Sequence, residues 1–379
     1  MITLAIVPGC LFAGSMVYSG MVVVAAWQHR RRSAEPQPAG PEIPISVLKP
    51  LAGVDEGLYE NLESFFLQQY RTFELIFAAR HRDDPAVHIM RSLEQRYPEV
   101  RTQLIVTGEP PYPNAKVFSL SVMTAAASAD VFVMSDSDIR VGRDFLSGIA
   151  SEVRGDSYDL ATCPYRAIGG RTIWSRLEAL GMNTEFWGGV VVAKLVEGVR
   201  FTVGPTTVAK REVLEAVPWS TLSGYLAEDF VLGQRAANLG FRVDLSRCVV
   251  EHRLPTENMR ANLSHRLRWA RSTRRSRPAG YVGQVFTYPL ALALLLITCD
   301  SRLVWPVLLV GAIFRGLSIY AIAKWVLRDA SILRRSWMWV AVQDLLGFFV
   351  WISGFSGNTI RWRDRRYRLK SDGTFDLAT

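Results

Sequence analysis

The chain has 379 residues, 49% of them hydrophobic, and a formal net charge of +9, so it can bury one full catalytic domain and still leave apolar residues for a bilayer. Its four cysteines, Cys10, Cys163, Cys248 and Cys299, are widely scattered, which speaks against both a disulfide framework and a metal knuckle. The basic residues crowd into runs at 29–32, 271–277 and 361–366, each beside an apolar segment; an anionic cytoplasmic leaflet attracts that pattern, and with no nucleic-acid module beside it, nucleic acid is not expected as a partner.

Residues 2–27 are apolar and uncharged, long enough to cross a bilayer as a helix. The basic cluster follows this run, the reverse of a cleaved signal peptide. The order predicts a retained anchor over 1–28, with the N-terminus outside, and a basic, Pro-rich linker over 29–42. From 43 to 258, β-branched runs at 45–48, 73–77, 103–106 and 131–134 alternate with helix-like stretches at 58–69, 85–97 and 116–127. That cadence predicts a cytoplasmic α/β domain, Rossmann-like, with a mostly parallel sheet and helices on both faces. Ligands of such sheets bind at the carboxyl ends of the strands. The apolar stretch 186–208, broken by Lys194, Glu197 and Arg200, suits either core packing or the lining of an acceptor entrance.

An amphipathic interface helix is expected over 259–278 and a membrane region over 279–358, with hydrophobic segments at 281–299, 303–327 and 337–355. Arg315 and Asp344 fall inside these segments and are expected to face protein or a wet cavity. Three complete spans would leave the basic tail, 359–379, outside, against the positive-inside tendency. One segment, 337–355 or a neighbour, is therefore expected to be re-entrant or interfacial.

The local chemistry centres on Val131-Phe132-Val133-Met134-Ser135-Asp136-Ser137-Asp138, an apolar strand that runs into two carboxylates. Residues two apart in extended backbone point to one side, so Asp136 and Asp138 can share a site. Two carboxylates there repel unless a cation joins them, and Mg²⁺ or Mn²⁺ suits such oxygen ligands together with substrate phosphates. As ordinary turn residues they would need no such partner. Asp229, at the start of a helix-like stretch, either caps it or acts as a general base toward an alcohol, with Glu228 competing for the second role. In His265-Arg266-Leu267-Arg268-Trp269, the Arg268 fork suits a diphosphate and Trp269 can wall an acceptor site, a reading compatible with a snorkelling interfacial helix. Asp84 caps a helix or meets a nucleotide at a strand's end, and Lys116 is a further candidate for phosphate or nucleotide contact.

In this order the motifs resemble those of inverting glycosyltransferases of the GT-A fold, and more closely the ceramide glucosyltransferase family with its bacterial relatives. The resemblance runs from the N-terminal anchor through Val47-Leu48-Lys49-Pro50-Leu51, Gly53-Val54-Asp55, Asn61-Leu62-Glu63, Asp83-Asp84-Pro85-Ala86, Asp136-Ser137-Asp138-Ile139-Arg140-Val141 and Ala227-Glu228-Asp229 to Arg268-Trp269. It implies nucleotide binding for Asp84, metal and diphosphate binding for Asp136, and the catalytic base for Asp229. The family's Gln or Arg, three residues ahead of Arg-Trp, is His265 here; an imidazole can still donate to a phosphate. Some relatives read Asp-Ser-Gly where this chain has Asp-Ser-Asp, so Asp138 adds a ligand they lack.

The resemblance implies a multi-pass membrane enzyme with a cytoplasmic catalytic domain. It would move a sugar from a UDP-sugar, UDP-glucose in the first place, onto the hydroxyl of a bilayer lipid such as ceramide, with inversion. The alternatives are a hopanoid-lipid N-acetylglucosaminyltransferase using UDP-N-acetylglucosamine, a processive polysaccharide synthase, which normally needs more spanning helices, and a non-catalytic membrane scaffold. Oligomeric state leaves no signal in the sequence.

Overall fold

The structure, a computed structural model, describes residues 2–35, 38, 40–299, 302, 304–332, 337–362 and 365–378. Parts of the expected linker, the start of the second C-terminal apolar segment at Leu303, and Arg363 and Asp364 of the tail lie outside the described residues. Two compact units form, one from Met1–Glu35, Gly169–Gly198 and Thr256–Arg366, the other from Pro36–Ile168, Val199–Pro255 and Tyr367–Thr379. Residues 169–198, read from the sequence as part of the catalytic domain, thus belong with the apolar helices, whereas the end of the tail belongs with the sheet.

In the second unit the strands are β1 (Ile45–Pro50), β2 (Phe73–Ala79), β3 (Thr102–Val106), β4 (Val131–Ser135), β5 (Ile139–Arg140), β6 (Leu160–Thr162), β7 (Tyr165–Ile168), β8 (Thr206–Lys210), β9 (Val243–Leu245) and β10 (Val250–Arg253). The main sheet runs β3-β2-β1-β4-β8-β6-β9. β1, β2, β3 and β4 are mutually parallel, and β8 enters antiparallel to its neighbours β4 and β6. Alternation along the strands gives the sheet two apolar faces. Leu48, Ile76 and Phe132 pack with Val117 and Leu120 of the Ala115–Ala126 helix and Leu232 of the Glu228–Asn238 helix. On the other face Phe66 of the Leu58–Phe66 helix stacks on Phe77, centroids 6.1 Å apart. The chain leaves β1 toward β3 and returns to β4 on β1's other side, so a crevice opens at the carboxyl ends of β1 and β4, where α/β sheets place ligands. A short sheet, β5-β10-β7, stands beside it.

Among the described residues of the first unit, three helices are long and apolar enough to cross a membrane: Ala5–Ser33, Val304–Val326 and Trp337–Gly354. The helices Pro278–Thr287 and Pro289–Cys299 also pass as a pair, but meet at a 69° bend. Pro289 lacks the N–H that would continue the first helix and disfavours helical backbone at Tyr288, so the break is local in origin. The bend falls in the apolar segment at 281–299, a neighbour of 337–355.

Arg315 and Asp344 face inward, 5% and 0% exposed. Arg315 Nη2 donates to Asp344 Oδ1 at 2.7 Å and to Glu185 Oε2 at 3.0 Å, and Nε donates to Asp344 at 3.0 Å. Glu185 lies in a π-helical turn, Met182–Phe186, ahead of the Trp187–Glu197 helix. Removing the cation leaves two carboxylates without their charge partner, so Arg315→Leu should cost about 3–5 kcal/mol, and Asp344→Leu added to it should recover part of the loss. Thermal unfolding in detergent checks this, and an unchanged melting temperature in the single variant would contradict it.

Candidate active site

At the carboxyl end of β4 the chain turns at Asp136, whose N–H donates to Pro205 O at 3.0 Å. Lys116 Nζ reaches Asp136 Oδ1 at 2.7 Å, Glu228 Oε1 at 3.5 Å and Gly204 O at 3.4 Å. Asn114 fixes the origin of Lys116. Its Oδ1 caps the Ala115–Ala126 helix by accepting from Val117 N–H at 3.2 Å, and its Nδ2 donates to Tyr225 O at 2.9 Å and to Glu228 Oε2 at 3.2 Å. Asp229 completes the wall of a cavity shared with Asp136, Lys116, Glu228, Gly204 and Trp219.

The electrostatics follow from crowding carboxylates in low dielectric. Burial, then the neighbouring Glu228 charge, push the Asp229 carboxyl up to about 7 against the pull of Lys116. Burial also raises Asp136, with Lys116 opposing and Asp138 adding to the effect. Burial works against protonated Lys116, but Asp136 and Glu228 outweigh it and hold the ammonium above its ordinary value.

Asp138 points to a different partner. Its Oδ2 lies 3.1 Å from His252 Nε2 on β10, and the His252 ring meets Tyr165 edge-on with centroids 5.2 Å apart. Burial alone would raise Asp138; the His252 imidazole, with Lys49 and Lys116, brings it below the usual carboxylate range. Asp138 Oδ1 is buried with no hydrogen-bond partner among the described residues. A buried carboxylate oxygen in that state fits a cation or a donor group from a ligand. Asp136, Asp138 and His252 bring carboxylate and imidazole donors to this turn; among the described residues, the carboxylate and imidazole donor atoms that lie within 4.8 Å of one another belong to Glu178, Glu257 and His265.

Lys49 is fully buried beneath this turn, with Nζ 2.5 Å from Asp136 O, 3.4 Å from Ser135 Oγ and 4.0 Å from the centre of the Phe65 ring. Burial pushes its ammonium down to about 7, against Asp136 and Asp138. Neither Lys49 nor His252 stood out as a site residue in the sequence. An ionisable residue inside an apolar strand was the available signal for Lys49; His252 sits in a short strand far along the chain and gave none.

Asp84 takes the capping role that the sequence offered it. Its carboxylate accepts from Ala86 N–H at 2.9 Å and, through both oxygens, from Gly53 N–H at 3.1 Å. In the unit of apolar helices, His265, Arg268 and Trp269 share the Met259–Ser276 helix, capped by Asn258, whose Oδ1 accepts from Ala261 N–H at 3.0 Å. His265 Nδ1 lies 2.8 Å from Glu178 Oε1, Trp269 Nε1 donates to His265 Nε2 at 2.9 Å, and the Arg268 charge acts on Glu257. Of the arginine run expected to meet lipid, Arg271 donates to Ser356 O and Thr359 O, Arg274 to Phe355 O and Gly357 O, and Arg275 to Asn358 Oδ1. These cations serve the carbonyls at the end of the Val340–Gly354 helix.

The glycosyl transferase family 21 model matches residues 10–375. Ceramide glucosyltransferase 3 of Caenorhabditis elegans is 25% identical over 338 residues, 87% of this chain and 73% of that protein. Ceramide glucosyltransferase 1 of the same organism is 28% identical over 243 residues, 63% of this chain and 51% of that one. The mannosyltransferase PcManGT from Pyrobaculum calidifontis, solved with GDP-Man and Mn²⁺, aligns over 93% of this chain and 99% of its own at 17% identity, with a TM-score of 0.50. The fold is that of GT-A glycosyltransferases, and the chain belongs to glycosyl transferase family 21.

Gly204 makes room for Asp229, since a Cβ there would lie 2.9 Å from Asp229 Oδ2. Gly204→Ala should therefore displace the carboxylate and lower sugar transfer about a hundredfold while leaving the melting temperature close to wild type. Unchanged transfer would show that the placement of Asp229 does not matter to catalysis.

Proposed function

We propose that this family 21 glycosyltransferase moves glucose from UDP-glucose onto the hydroxyl of a membrane lipid of the ceramide type, with inversion at the anomeric carbon. The observation that carries the reading is Asp229, a buried carboxylate held by burial and Glu228 at a proton affinity suited to general base catalysis near neutral pH. Asp229 takes the proton of the lipid hydroxyl as its oxygen attacks the anomeric carbon in line with the departing diphosphate. Glu228 raises the basicity of Asp229 and, through Lys116 and Asn114, keeps the cavity wall in register. Lys116 offers its ammonium to the diphosphate. Asp136, Asp138 and His252 would hold Mg²⁺ or Mn²⁺, which neutralises negative charge on a leaving diphosphate. Asp84, Arg268 and Trp269 keep the roles that the family resemblance implies: nucleotide contact, diphosphate contact and a wall of the acceptor site. The relatives' names support the sugar and the lipid, and the bound Mn²⁺ of the mannosyltransferase supports the metal.

The decisive assay offers UDP-glucose and UDP-N-acetylglucosamine to the purified protein in lipid, with ceramide, diacylglycerol or a hopanoid polyol as acceptor, with and without divalent metal. Metal-dependent glucosylation of ceramide is expected, rising as pH passes about 7 and Asp229 ionises. Asp229→Asn should lower it by about a hundredfold or more with UDP-glucose binding intact. Transfer to a hopanoid from UDP-N-acetylglucosamine, or a polymeric product, would replace this assignment by one of its alternatives.

The same reading places the sheet unit in the cytoplasm of a multi-pass membrane protein. β12 (Arg365–Leu369) and β13 (Phe375–Leu377), numbered after β11 (Thr359–Trp362), pair antiparallel, and Phe375 N–H donates to Gly224 O at 3.1 Å. Since the tail joins the sheet unit, an even number of crossings separates the two, and the basic tail stays inside. Val304–Val326 and Trp337–Gly354 supply two crossings, and the bent pair enters the membrane and returns. In a cysteine-free background, cysteines at Glu109 and Arg302 should react with an impermeant thiol reagent from the same side of sealed vesicles. Labelling of Arg302→Cys from the opposite side would mean that the bent pair crosses.

A further inference from the structure

An indole N–H can only donate a hydrogen bond. Trp269 Nε1 donates to His265 Nε2 at 2.9 Å, so that nitrogen carries no proton and the neutral ring bears its hydrogen on Nδ1. Nδ1 faces Glu178 Oε1 at 2.8 Å. The ring planes of His265 and Trp269 stand at 82°, so the two rings meet edge-on and do not stack. Carboxylate, imidazole and indole thus form one directed series, in which the carboxylate fixes the tautomer and the tautomer fixes the indole.

Glu178 is itself immobilised. It is 6% exposed, and Asn262 Nδ2 donates to its second oxygen. Asn262 Oδ1 accepts from Arg266 Nε at 2.9 Å, and both terminal nitrogens of Arg266 donate to Gln343 Oε1 at 3.2 Å. Gln343 Nε2 donates to Glu185 Oε1 at 2.6 Å, and Glu185 meets Arg315. The series therefore continues without a gap to the Arg315–Asp344 pair inside the apolar helices. Buried and linked from member to member, such a network favours one arrangement of its side chains.

We infer that Glu178 and His265 are positioning residues for the Trp269 ring: through them the buried network sets the angle at which the indole meets the lipid acceptor, and His265 is not a ligand of the donor diphosphate. This rests on the proposed role of Trp269 at the acceptor. Nε2 accepts from the indole and the protonated Nδ1 sits 2.8 Å from the Glu178 carboxylate, so the one N–H of His265 is turned to a protein carboxylate and not to a phosphate. A glutamine at 265 could do the same work, its carbonyl accepting from the indole and its amide donating to Glu178.

The test separates donor from acceptor kinetics in the full-length protein, using UDP-glucose and a short-chain ceramide. His265→Leu should reduce kcat/KM for the acceptor about tenfold and leave the donor KM within about twofold; His265→Gln should restore most of the loss. Trp269→Phe keeps a ring but loses the N–H, so it should reproduce the acceptor defect. The double variant should be no worse than either single one, because both remove one interaction. Trp269→Phe also carries the test alone if His265→Leu does not fold. The chain has 11 tryptophans, so the Trp269 emission is read as the difference between each protein and its Trp269→Phe counterpart; it should shift in His265→Leu and return in His265→Gln. A rise in donor KM in His265→Leu, additive losses in the double variant, or an unshifted emission would overturn the inference. Wild-type transfer by Trp269→Ala would instead remove the acceptor role itself, and so distinguishes a failure of that reading from a failure of the positioning series.

Discussion

Four carboxylates, Asp136, Asp138, Glu228 and Asp229, crowd the carboxyl end of one strand, and like charges at that spacing tolerate each other only with positive charge among them. Much of the sheet unit can be read as the supply of that charge. Lys116 enters from the helix that Asn114 caps, Lys49 rises from inside β1, and His252 approaches from β10. Under the proposed function Asp136 and Asp138 would hold a divalent ion that adds positive charge, and Asp138 Oδ1 has no hydrogen-bond partner among the described residues. Burial contributes by keeping Asp229 a stronger base than an exposed aspartate.

The parts of this arrangement visible in the sequence are those carried by local pattern. β4 was legible because five buried residues, three of them Val or Phe, run directly into an Asp-x-Asp, and Asp229 because a carboxylate opened a helix. Alternating strands and helices conveyed the parallel half of the sheet. Contacts between distant parts of the chain were not legible. His252 meets Asp138 across 114 positions, and nothing in Val250–Arg253 marks that strand as part of a site. Residues 169–198 fell within the expected catalytic domain, but hydrophobicity alone does not distinguish a segment that packs with a sheet from one that packs with other apolar helices. The bend at Tyr288 was hidden for the same reason: 281–299 is apolar throughout, and only Pro289 marks the break.

In the unit of apolar helices hydrophobicity gives little specificity, because lipid solvates a leucine as well as a neighbouring helix does. Specific register there comes from the few polar groups. The series from Glu178 through Gln343 to Arg315 and Asp344 links the Ile173–Gly181, Met259–Ser276, Val304–Ala321 and Val340–Gly354 helices through side-chain hydrogen bonds. Gly181 belongs to the same device, since a Cβ at that position would lie 2.6 Å from Gln343 Nε2.

The tail strand also bears on how the molecule is made. Thr374 bridges Tyr225 and Phe375 N–H donates to Gly224 O, while Tyr225 O and Glu228 are both held by Asn114. The loop that leads into the Glu228–Asn238 helix is therefore braced by residues the ribosome adds only after the long apolar helices Ala5–Ser33, Val304–Val326 and Trp337–Gly354 have been synthesised. A nascent chain with its sheet already folded still lacks that brace, so the loop ahead of Glu228 gains its last hydrogen bonds only when the final strand has been made.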